Sequence, residues 1–281
     1  MHTAQQCILC GASSFDTVLR KGPWQYRQCR SCGLVCLCPR PGQQELLKNY
    51  ADYLPPGDKE IRQWEQMMRP VIRTSADMIE KKFSPRRGKL LDIGCGYGFF
   101  LQEMKSRGWD VAGVEISKTG RQHAQKFFGI HAYDEPLEKL QLRKQSFDAV
   151  TLFYVVEHVA NPEALLHAVQ RLLRPGGLLL LRWPHSTPIV KMLGPLAGRL
   201  DLYHTPYHLY DFSPQTIKKL LERTGFRDIT TMIAGYTLPP APAPRMASCI
   251  FGSLGEVLSS ITHGKLLLPG VSKTTLAVKR D

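Results

Sequence analysis

The chain has 281 residues, of which 43% are hydrophobic, and it carries a net charge of +13 at pH 7. This length and composition suit one large α/β domain with a small addition, and they exclude a disordered chain. No run of about 18 apolar residues is present, so we expect no membrane-spanning helix. The polar N-terminus lacks the apolar core of a signal peptide, and we therefore expect a cytoplasmic protein.

The excess of positive charge lies mainly outside residues 89–185. A basic balance is typical of proteins with an anionic partner, such as nucleic acid, acidic lipid or a phosphorylated metabolite. No run of five like charges occurs, so an ordinary solvated surface is the simpler interpretation.

The cysteines are concentrated at the N-terminus, where six of the eight fall within the first 38 residues. Two Cys-x-x-Cys pairs there are each followed by a glycine, which permits the tight turn that lets thiolates converge. In a cytosolic chain four thiolates at this spacing predict a structural Zn²⁺ site. The predicted ligands are Cys7, Cys10, Cys29 and Cys32. Cys36 and Cys38 are either buried small side chains or spare ligands.

The remainder of the chain is predicted to be helical at first and then to alternate between strands and helices. A helix is expected around Ile61–Phe83, and Pro70 is expected to kink or split it. The alternation that starts at Lys89 predicts a doubly wound, mostly parallel sheet. The predicted strands are Lys89–Ile93, Asp110–Glu115, Ile130–Tyr133, Phe147–Phe153, Leu178–Arg182, Phe226–Met232 and Lys273–Lys279.

The predicted organisation has three parts. A zinc ribbon occupies residues 1–42, a linker with N-terminal helices covers 43–87, and the α/β domain covers 88–281. Insertions are expected at 184–212, which reads as a long loop, and at 238–270, where a helix is expected near Ile250–Ile261.

A glycine-rich turn follows the first strand of the α/β domain and opens a helix, which is the context that a nucleotide-binding turn requires. Its glycines are Gly94, Gly96 and Gly98. A dinucleotide fingerprint would need its third glycine at position 99, which is Phe99, so a diphosphate ligand is disfavoured. The preceding Asp92 suits a ligand with an ammonium group. Glu115, at the end of the second strand, can accept hydrogen bonds from both hydroxyls of a ribose.

Later segments carry a family resemblance. Residues 146–150 (SFDAV), 156–159 (VEHV) and 172–177 (LLRPGG) resemble the class I S-adenosylmethionine (SAM)-dependent methyltransferases. Residues 208–214 (HLYDFSP) and 224–226 (TGF) resemble the bacterial subgroup with an N-terminal zinc ribbon, often associated with sugar, polysaccharide or lipid modification. The resemblance implies SAM as cofactor and an α/β, Rossmann-like, seven-stranded sheet whose last strand is antiparallel.

The resemblance also implies which residues bind the cofactor. The expected contacts to the methionine and ribose are Asp92, Gly94, Cys95, Gly96 and Gly98, with Glu115 on the ribose hydroxyls, Leu137 near the adenine, and Phe153 and Tyr154 facing the methyl group. Cys95 is expected to pack rather than to react. Some relatives bind a divalent metal through an acidic residue three positions before the Glu-His pair. Tyr154 occupies that position here, so no catalytic metal is predicted.

Methyl transfer to a hydroxyl benefits from a general base, and a histidine suits that role. The candidate bases are His158, which follows the fourth strand, His185, which follows the fifth, and His208, with His204 also expected near the substrate. Oxygen, carbon and nitrogen all remain open as the acceptor atom, and oxygen is favoured.

Two classes of function fit these observations. The first is O-methylation of a small molecule, a sugar or glycan, or a lipid-linked acceptor. The alternative is an RNA methyltransferase that binds RNA through the zinc ribbon and the basic flanks. The chain lacks the Asn/Asp-Pro-Pro-aromatic signature of enzymes that methylate base amino groups, which favours the first class. The helix near Ile250–Ile261 could also touch a membrane surface, which would make the protein peripheral.

Overall fold

The computed structural model describes residues 6–280, apart from the side chains of Gln43 and Pro195. Residues 6–38, which we call the ribbon, contain three antiparallel strands: β1 (Phe15–Lys21), β2 (Trp24–Cys29) and β3 (Val35–Cys38). A fourth strand comes from far along the chain, because β9 (Tyr210–Asp211) pairs antiparallel with β3. The ribbon sheet is therefore completed by the segment 184–212. Residues 1–5 and 281, at the ends of the expected parts, lie outside the described residues.

The second sheet has seven strands, as the sequence predicted. They are β4 (Lys89–Ile93), β5 (Asp110–Val114), β6 (Ala132–Tyr133), β7 (Phe147–Phe153), β8 (Leu173–Trp183), β10 (Phe226–Met232) and β11 (Lys273–Lys279). Their order is β10-β11-β8-β7-β4-β5-β6. The pairs from β6 to β8 are parallel, and β11 runs antiparallel to both of its neighbours. The predicted α/β, Rossmann-like class with an antiparallel last strand is confirmed.

Eight helices connect or flank these strands in the described residues. They are α1 (Gln43–Ala51), α2 (Asp58–Phe83), α3 (Phe99–Ser106), α4 (Lys118–Phe128), α5 (Pro162–Leu172), α6 (Thr187–Leu193), α7 (Pro214–Arg223) and α8 (Pro242–Ile261). Short 3-10 helices cover Leu137–Lys139 and Gly194–Arg199.

Two hydrophobic layers cover the two faces of the large sheet, because successive side chains of a strand point to opposite faces. Leu91 of β4 belongs to the layer that contains α5, α7 and the ribbon, whereas its neighbour Leu90 belongs to the layer formed with α2 and α3. Since the ribbon shares the first layer, its buried residues are continuous with the core of the α/β domain.

Three expectations about local structure need correction. Helix α2 runs through Pro70 and is not split, and the nearby Met67 carbonyl accepts a hydrogen bond from the backbone of Leu238. The segment 184–212 is not a plain loop, because it contains α6, a 3-10 helix and β9. Helix α8 begins at Pro242, well before the expected start, because a proline is tolerated in the first turn of a helix. Among residues 6–280, no helix combines the length and the apolar character that crossing a bilayer requires.

Candidate active site

The glycine turn, residues 92–98, joins β4 to α3 at the carboxyl edge of the sheet. Gly94 and Gly98 have φ angles of +73° and +85°, which residues with a side chain rarely adopt. A Cβ atom on Gly94 would lie 2.6 Å from Val155, and one on Gly98 would lie 2.8 Å from the Cβ of Ala124. Glycine at these positions therefore permits the backbone conformation and the close contact with neighbouring segments.

Glu115, directly after β5, closes over the glycine turn. Its Oε2 accepts a hydrogen bond from the backbone of Gly96 at 2.8 Å, and its Oε1 accepts one from Ser117 at 2.7 Å. Burial raises the pKa of Glu115, and these two N–H donors oppose that shift. Because a carboxylate offers about four lone-pair sites, each oxygen can still accept a hydroxyl donor from a ligand.

Asp92, the residue with which the glycine turn begins, is almost fully buried. Its Oδ1 accepts a hydrogen bond of 2.7 Å from the hydroxyl of Thr151 on β7. Burial raises the pKa of Asp92 to about 8, although the Thr151 hydroxyl opposes the shift. Cys95 is also buried, and its sulfur lies against Gly113 of β5, so it packs inside the turn.

A cavity of about 560 Å³ opens beside the turn. Eight of the nine predicted cofactor residues line it, and Gly98 does not. Those eight are Asp92, Gly94, Cys95, Gly96, Glu115, Leu137, Phe153 and Tyr154. Most of the remaining wall is aromatic or aliphatic, and α1, α2 and α3 contribute residues such as Tyr50, Trp64 and Phe100. The cavity therefore joins the glycine turn to a largely apolar chamber.

The same cavity borders the histidine cluster, which we define as Glu157, His158, His204 and His208. The rings of His158 and His208 are 4.7 Å apart between centroids, and those of His204 and His208 are 5.6 Å apart. All three histidines line the cavity. His185 does not line it and instead lies beside Trp183, with the ring centroids 6.1 Å apart. The structure thus brings together two of the three candidate bases.

His158 is held in one orientation. Its Nδ1 lies 3.0 Å from the carbonyl oxygen of Tyr207 and 3.3 Å from the hydroxyl of Tyr50. A proton on Nδ1 satisfies the carbonyl, and that tautomer leaves Nε2 as an acceptor. Burial lowers the pKa of His158 to about 4, against the opposing effect of the Tyr207 carbonyl. His158 is therefore neutral near pH 7. Burial also lowers the pKa of His185 to about 4 and that of His208 well below its usual value.

Glu157 does not face solvent. It is 1% exposed, and among residues 6–280 neither of its carboxylate oxygens has a hydrogen-bond partner. Burial raises its pKa to about 8. Ligand atoms of Glu157, His158 and His208 lie within 4.8 Å of one another, so the cluster offers three metal-type ligands although the sequence predicted no metal here.

Sequence reasoning missed Arg182, the buried cation at the end of β8. Its guanidinium donates to the carbonyls of Ala234 and Gly235 and, through Nε at 2.8 Å, to the hydroxyl of Tyr154. Tyr154 itself has a φ of +57°, an uncommon conformation for a bulky residue. Arg182 thus fixes the ring of Tyr154 at the cavity wall. The available signal was a single arginine in an otherwise apolar strand.

The four predicted zinc ligands meet in the ribbon. The sulfurs of Cys7 and Cys32 are 3.5 Å apart, as are those of Cys10 and Cys29, and all four lie within 4.8 Å of one another. Tetrahedral zinc with Zn–S bonds of about 2.3 Å places its sulfurs about 3.8 Å apart, so the four thiols fit that ion. Cys36 and Cys38 lie outside this cluster and are buried along β3.

The ribbon also holds the segment that carries His204 and His208. The hydroxyl of Tyr26 on β2 lies 3.1 Å from the carbonyl of His208 and 3.3 Å from that of Tyr203, and it donates to both. The rings of Tyr26 and Tyr203 stack at 4.1 Å, and the backbone of Leu37 donates to the carbonyl of Leu209. The position of His208 therefore depends on the ribbon sheet.

A family profile described as a methyltransferase domain matches residues 60–231, which is more than half of the chain. Among curated proteins, the ubiquinone biosynthesis O-methyltransferase of Dinoroseobacter shibae is 31% identical over 159 residues, covering 53% of this chain and 64% of that protein. The protein of the same name from Acinetobacter baumannii is 30% identical over 131 residues, covering 44% and 55%. The chain thus spans less than two thirds of the length of these relatives.

Solved structures show the same fold. Phosphoethanolamine N-methyltransferase 2 of Haemonchus contortus, in complex with SAM, superposes with a TM-score of 0.56 at 18% identity, covering 84% of this chain and 60% of that one. A SAM-dependent methyltransferase from Archaeoglobus fulgidus superposes with a TM-score of 0.52 at 19% identity, covering 77% and 98%. With the profile match and the seven-stranded sheet, these findings establish that the chain belongs to the methyltransferase-domain family of SAM-dependent enzymes.

Proposed function

We propose that the protein transfers the methyl group of SAM to an oxygen atom of a small molecule that has an apolar or aromatic portion, with His158 as the general base. One observation carries the proposal: the glycine turn with Glu115 and the histidine cluster line the same cavity of about 560 Å³. Methyl transfer between two bound molecules requires a cofactor site and a proton acceptor that open into the same space.

The residues around the turn fit SAM. Asp92 supplies a carboxyl for the ammonium of the methionine part, and Glu115 has free lone pairs for the ribose hydroxyls. Leu137, buried at the start of its 3-10 helix, offers an apolar contact for the adenine. SAM supplies an already activated methyl group on its sulfonium, so the protein mainly has to position the acceptor and remove a proton.

His158 is the proposed base because it is neutral, is oriented through Nδ1 and lines the cavity. As the acceptor oxygen attacks the methyl carbon, the O–C bond forms, the S–C bond breaks, and the hydroxyl proton moves to Nε2 of His158. His208 borders the same space and would contact the acceptor. Tyr154, fixed by Arg182, would face the methyl group. His185 lies outside the cavity wall, so we do not assign it a role in the reaction.

Two observations support an oxygen on a small molecule. The curated relatives at about 30% identity are named O-methyltransferases of ubiquinone biosynthesis. The acceptor side of the cavity is lined by Tyr50, Tyr53, Trp64 and Met67, which favour an apolar or aromatic compound over a free sugar.

We further propose that Cys7, Cys10, Cys29 and Cys32 hold a structural Zn²⁺. The closed set of four thiolates leaves no open position for catalysis. The ion would stabilise the ribbon and, through Tyr26, the segment that carries His208.

The decisive experiment compares Glu115→Ala with Glu138→Ala. Calorimetry with S-adenosylhomocysteine should show at least about a hundredfold loss of affinity for Glu115→Ala, because the charge-assisted hydrogen bonds to Gly96 of the turn, to Ser117 and to the ribose disappear. Glu138 lines the same cavity and makes no hydrogen bond to the turn, so its variant should lose less than about threefold. Equal affinities of both variants and the wild type would contradict the proposed cofactor site.

Turnover with labelled SAM then identifies the acceptor class. The panel is a set of phenols, a nucleotide sugar, a lipid-linked sugar and total RNA. Label transfer to a phenol supports the proposal. Transfer to RNA alone, with an affinity that falls steeply with salt, would favour the alternative class instead.

A further inference from the structure

Helix α8 packs with its small side chains inward. Gly252, Gly255 and Ser259 are its buried residues. The approach is close, because a Cβ atom on Gly252 would lie 2.4 Å from the ring of Tyr236, and one on Gly255 would lie 3.0 Å from Ile233. This arrangement leaves the large apolar residues of the helix without protein to cover them.

The outer face of α8 is a continuous apolar stripe. Six of its large apolar residues are between 47 and 68% exposed: Met246, Ile250, Phe251, Leu254, Val257 and Ile261. All of them except Phe251 are spaced by three or four residues and lie within roughly 80° of the helix circumference, and Phe251 lies about 60° to one side. Surface helices normally bury their large apolar residues and expose polar ones, so this exposed stripe indicates a binding partner.

The apolar surface continues beyond α8. Leu266, in the loop that follows, is 58% exposed. The same loop contacts α6, because Gly270 lies against the side chain of Ile189. On α6 and the 3-10 helix after it, further large apolar residues are exposed: Met192, Leu196 and Leu200. We call the stripe, Leu266 and these three residues the apolar face.

Positive charges predominate around the apolar face. The basic residues of the segments 187–205 and 242–272 are Lys191, Arg199, Arg245 and Lys265, and the acidic ones are Asp201 and Glu256. Both acids are engaged within the protein, because Asp201 pairs with Lys21 at 2.7 Å and Glu256 accepts a hydrogen bond from the backbone of Gly235. Lys191 donates to the side chain of Gln28, so Arg199, Arg245 and Lys265 are the cations left to interact with an anionic partner.

We propose that the apolar face docks the protein onto an anionic lipid surface, with α8 lying in the plane of the interface. A helix of 20 residues is about 30 Å long, so the apolar stripe can enter the headgroup boundary along its length. A second copy of the chain packed against α8 would leave the exposed apolar residues of the loop and of α6 uncovered, and it would bring the basic residues of the two copies together. An anionic lipid surface would cover the whole apolar face and would attract its basic residues.

Docking would place the cavity beside the membrane. The hydroxyl of Ser248 on α8 donates to the carbonyl of Thr237, and Thr237 lines the cavity together with Ser272. The first turns of α8 therefore form the outside of the cavity wall. This inference concerns the surface alone and does not depend on the proposed function.

The test is sedimentation with vesicles of phosphatidylcholine containing roughly one third phosphatidylglycerol, compared with pure phosphatidylcholine. The wild type should bind the anionic vesicles, and binding should fall at high salt. For the triple variant Ile250→Gln/Leu254→Gln/Val257→Gln, the partition coefficient onto anionic vesicles should fall at least about tenfold. Glutamine preserves the helix but removes the apolar contacts with the lipid. Phe127→Gln, another exposed apolar residue but on α4, is the matched control and should bind as the wild type does.

A second pair of variants tests the charge. Arg245→Gln/Lys265→Gln should bind anionic vesicles about thirtyfold more weakly, since each of the two basic residues contributes roughly 1 kcal/mol near the surface. Lys81→Gln/Lys82→Gln, at the exposed end of α2, should lose less than about twofold. Far-ultraviolet circular dichroism shows that each variant is folded. The proposal is overturned if the wild type ignores anionic vesicles, if the triple variant binds them equally well, or if the triple variant instead dissociates a dimer seen by sedimentation equilibrium.

Discussion

The glycine turn and the histidine cluster border one cavity but are built differently. The turn follows β4, and Glu115, which follows the neighbouring parallel strand β5, accepts a hydrogen bond from the backbone of Gly96 in the turn. The histidine cluster joins residues after β7 to the segment 204–208, which the ribbon holds through Tyr26. Cofactor binding should therefore survive damage to the ribbon, whereas proton transfer should not.

The largest effect is expected for His158→Gln. Removing the proposed base should lower kcat by about 10²–10⁴-fold, because general base catalysis contributes that much. The affinity for S-adenosylhomocysteine should stay within about twofold, since the hydrogen-bond partners of the His158 ring are Tyr50 and Tyr207 and not the glycine turn. Single-turnover kinetics measures the rate of methyl transfer, and calorimetry measures the affinity for S-adenosylhomocysteine. An unchanged kcat would remove His158 from the reaction, and a dependence of kcat on added Mg²⁺ or Mn²⁺ would show that the cluster binds a cation instead.

Cys29→Ser should come next. Loss of the Zn²⁺ ligand loosens the ribbon, and displacing a reacting group by about 1 Å can cost a hundredfold, so kcat should fall by about that factor. Cys36→Ser changes a thiol on β3 outside the four-thiol cluster and serves as the control. For both variants, emission spectroscopy measures the metal content and calorimetry measures the affinity for S-adenosylhomocysteine. If cofactor affinity falls as strongly as kcat in Cys29→Ser, the glycine turn depends on the ribbon as much as the histidine cluster does.

The two regions should also respond oppositely to pH. Asp92 has a folded pKa of about 8 against 3.8 for its ordinary value, so the folded state retains a proton that the unfolded state loses. Its contribution to the free energy of unfolding is present below about pH 4 and declines up to about pH 8, by up to about 1.4 kcal/mol per pH unit. Denaturant titrations should show that Asp92→Asn lacks this decline.

For His158 the pH dependence of stability has the opposite sign, because its pKa of about 4 in the folded protein lies below the ordinary value of 6.5. Stability that depends on His158 is present above about pH 6.5 and is lost as the pH falls towards 4. His158→Gln should therefore be less sensitive to acid than the wild type. Identical pH profiles of the two variants would show that neither group titrates as described.

The smallest effect is expected for Tyr26→Phe. One buried hydrogen bond contributes about 1 kcal/mol, so kcat should fall about fivefold as the segment that carries His208 loosens. Cofactor affinity should not change. Tyr236→Phe also removes a tyrosine hydroxyl bonded to one partner, Ser253, but far from the histidines, and should leave kcat unaltered. If Tyr26→Phe lowers the free energy of unfolding without changing kcat, Tyr26 has a structural role only.

The same contrast explains what could be predicted from the sequence. The strands Lys89–Ile93 and Phe147–Phe153 were predicted with their observed bounds, because buried parallel strands form continuous apolar runs. The four-cysteine cluster and the glycine turn are local motifs. The two-residue strand β9 was not predictable, since it exists only through its pairing with β3 and has no periodicity of its own.

The acceptor side was predicted less completely for the same reason. His158 and His208 were named as candidates, but so was His185, because position after a strand does not say whether a side chain turns towards the cavity. The burial of Glu157 and the support that Arg182 gives to Tyr154 arise from contacts between distant segments. Single-sequence patterns contain no information about those contacts.

The pairing of β3 with β9 has a consequence for biosynthesis. The four cysteines are translated well before Tyr210 and Asp211, which form the strand that completes their sheet. Contacts of such high sequence separation form late during folding. The nascent ribbon is therefore left with an unpaired strand edge until β9 has been synthesised, and chaperone binding at that edge would protect it from aggregation.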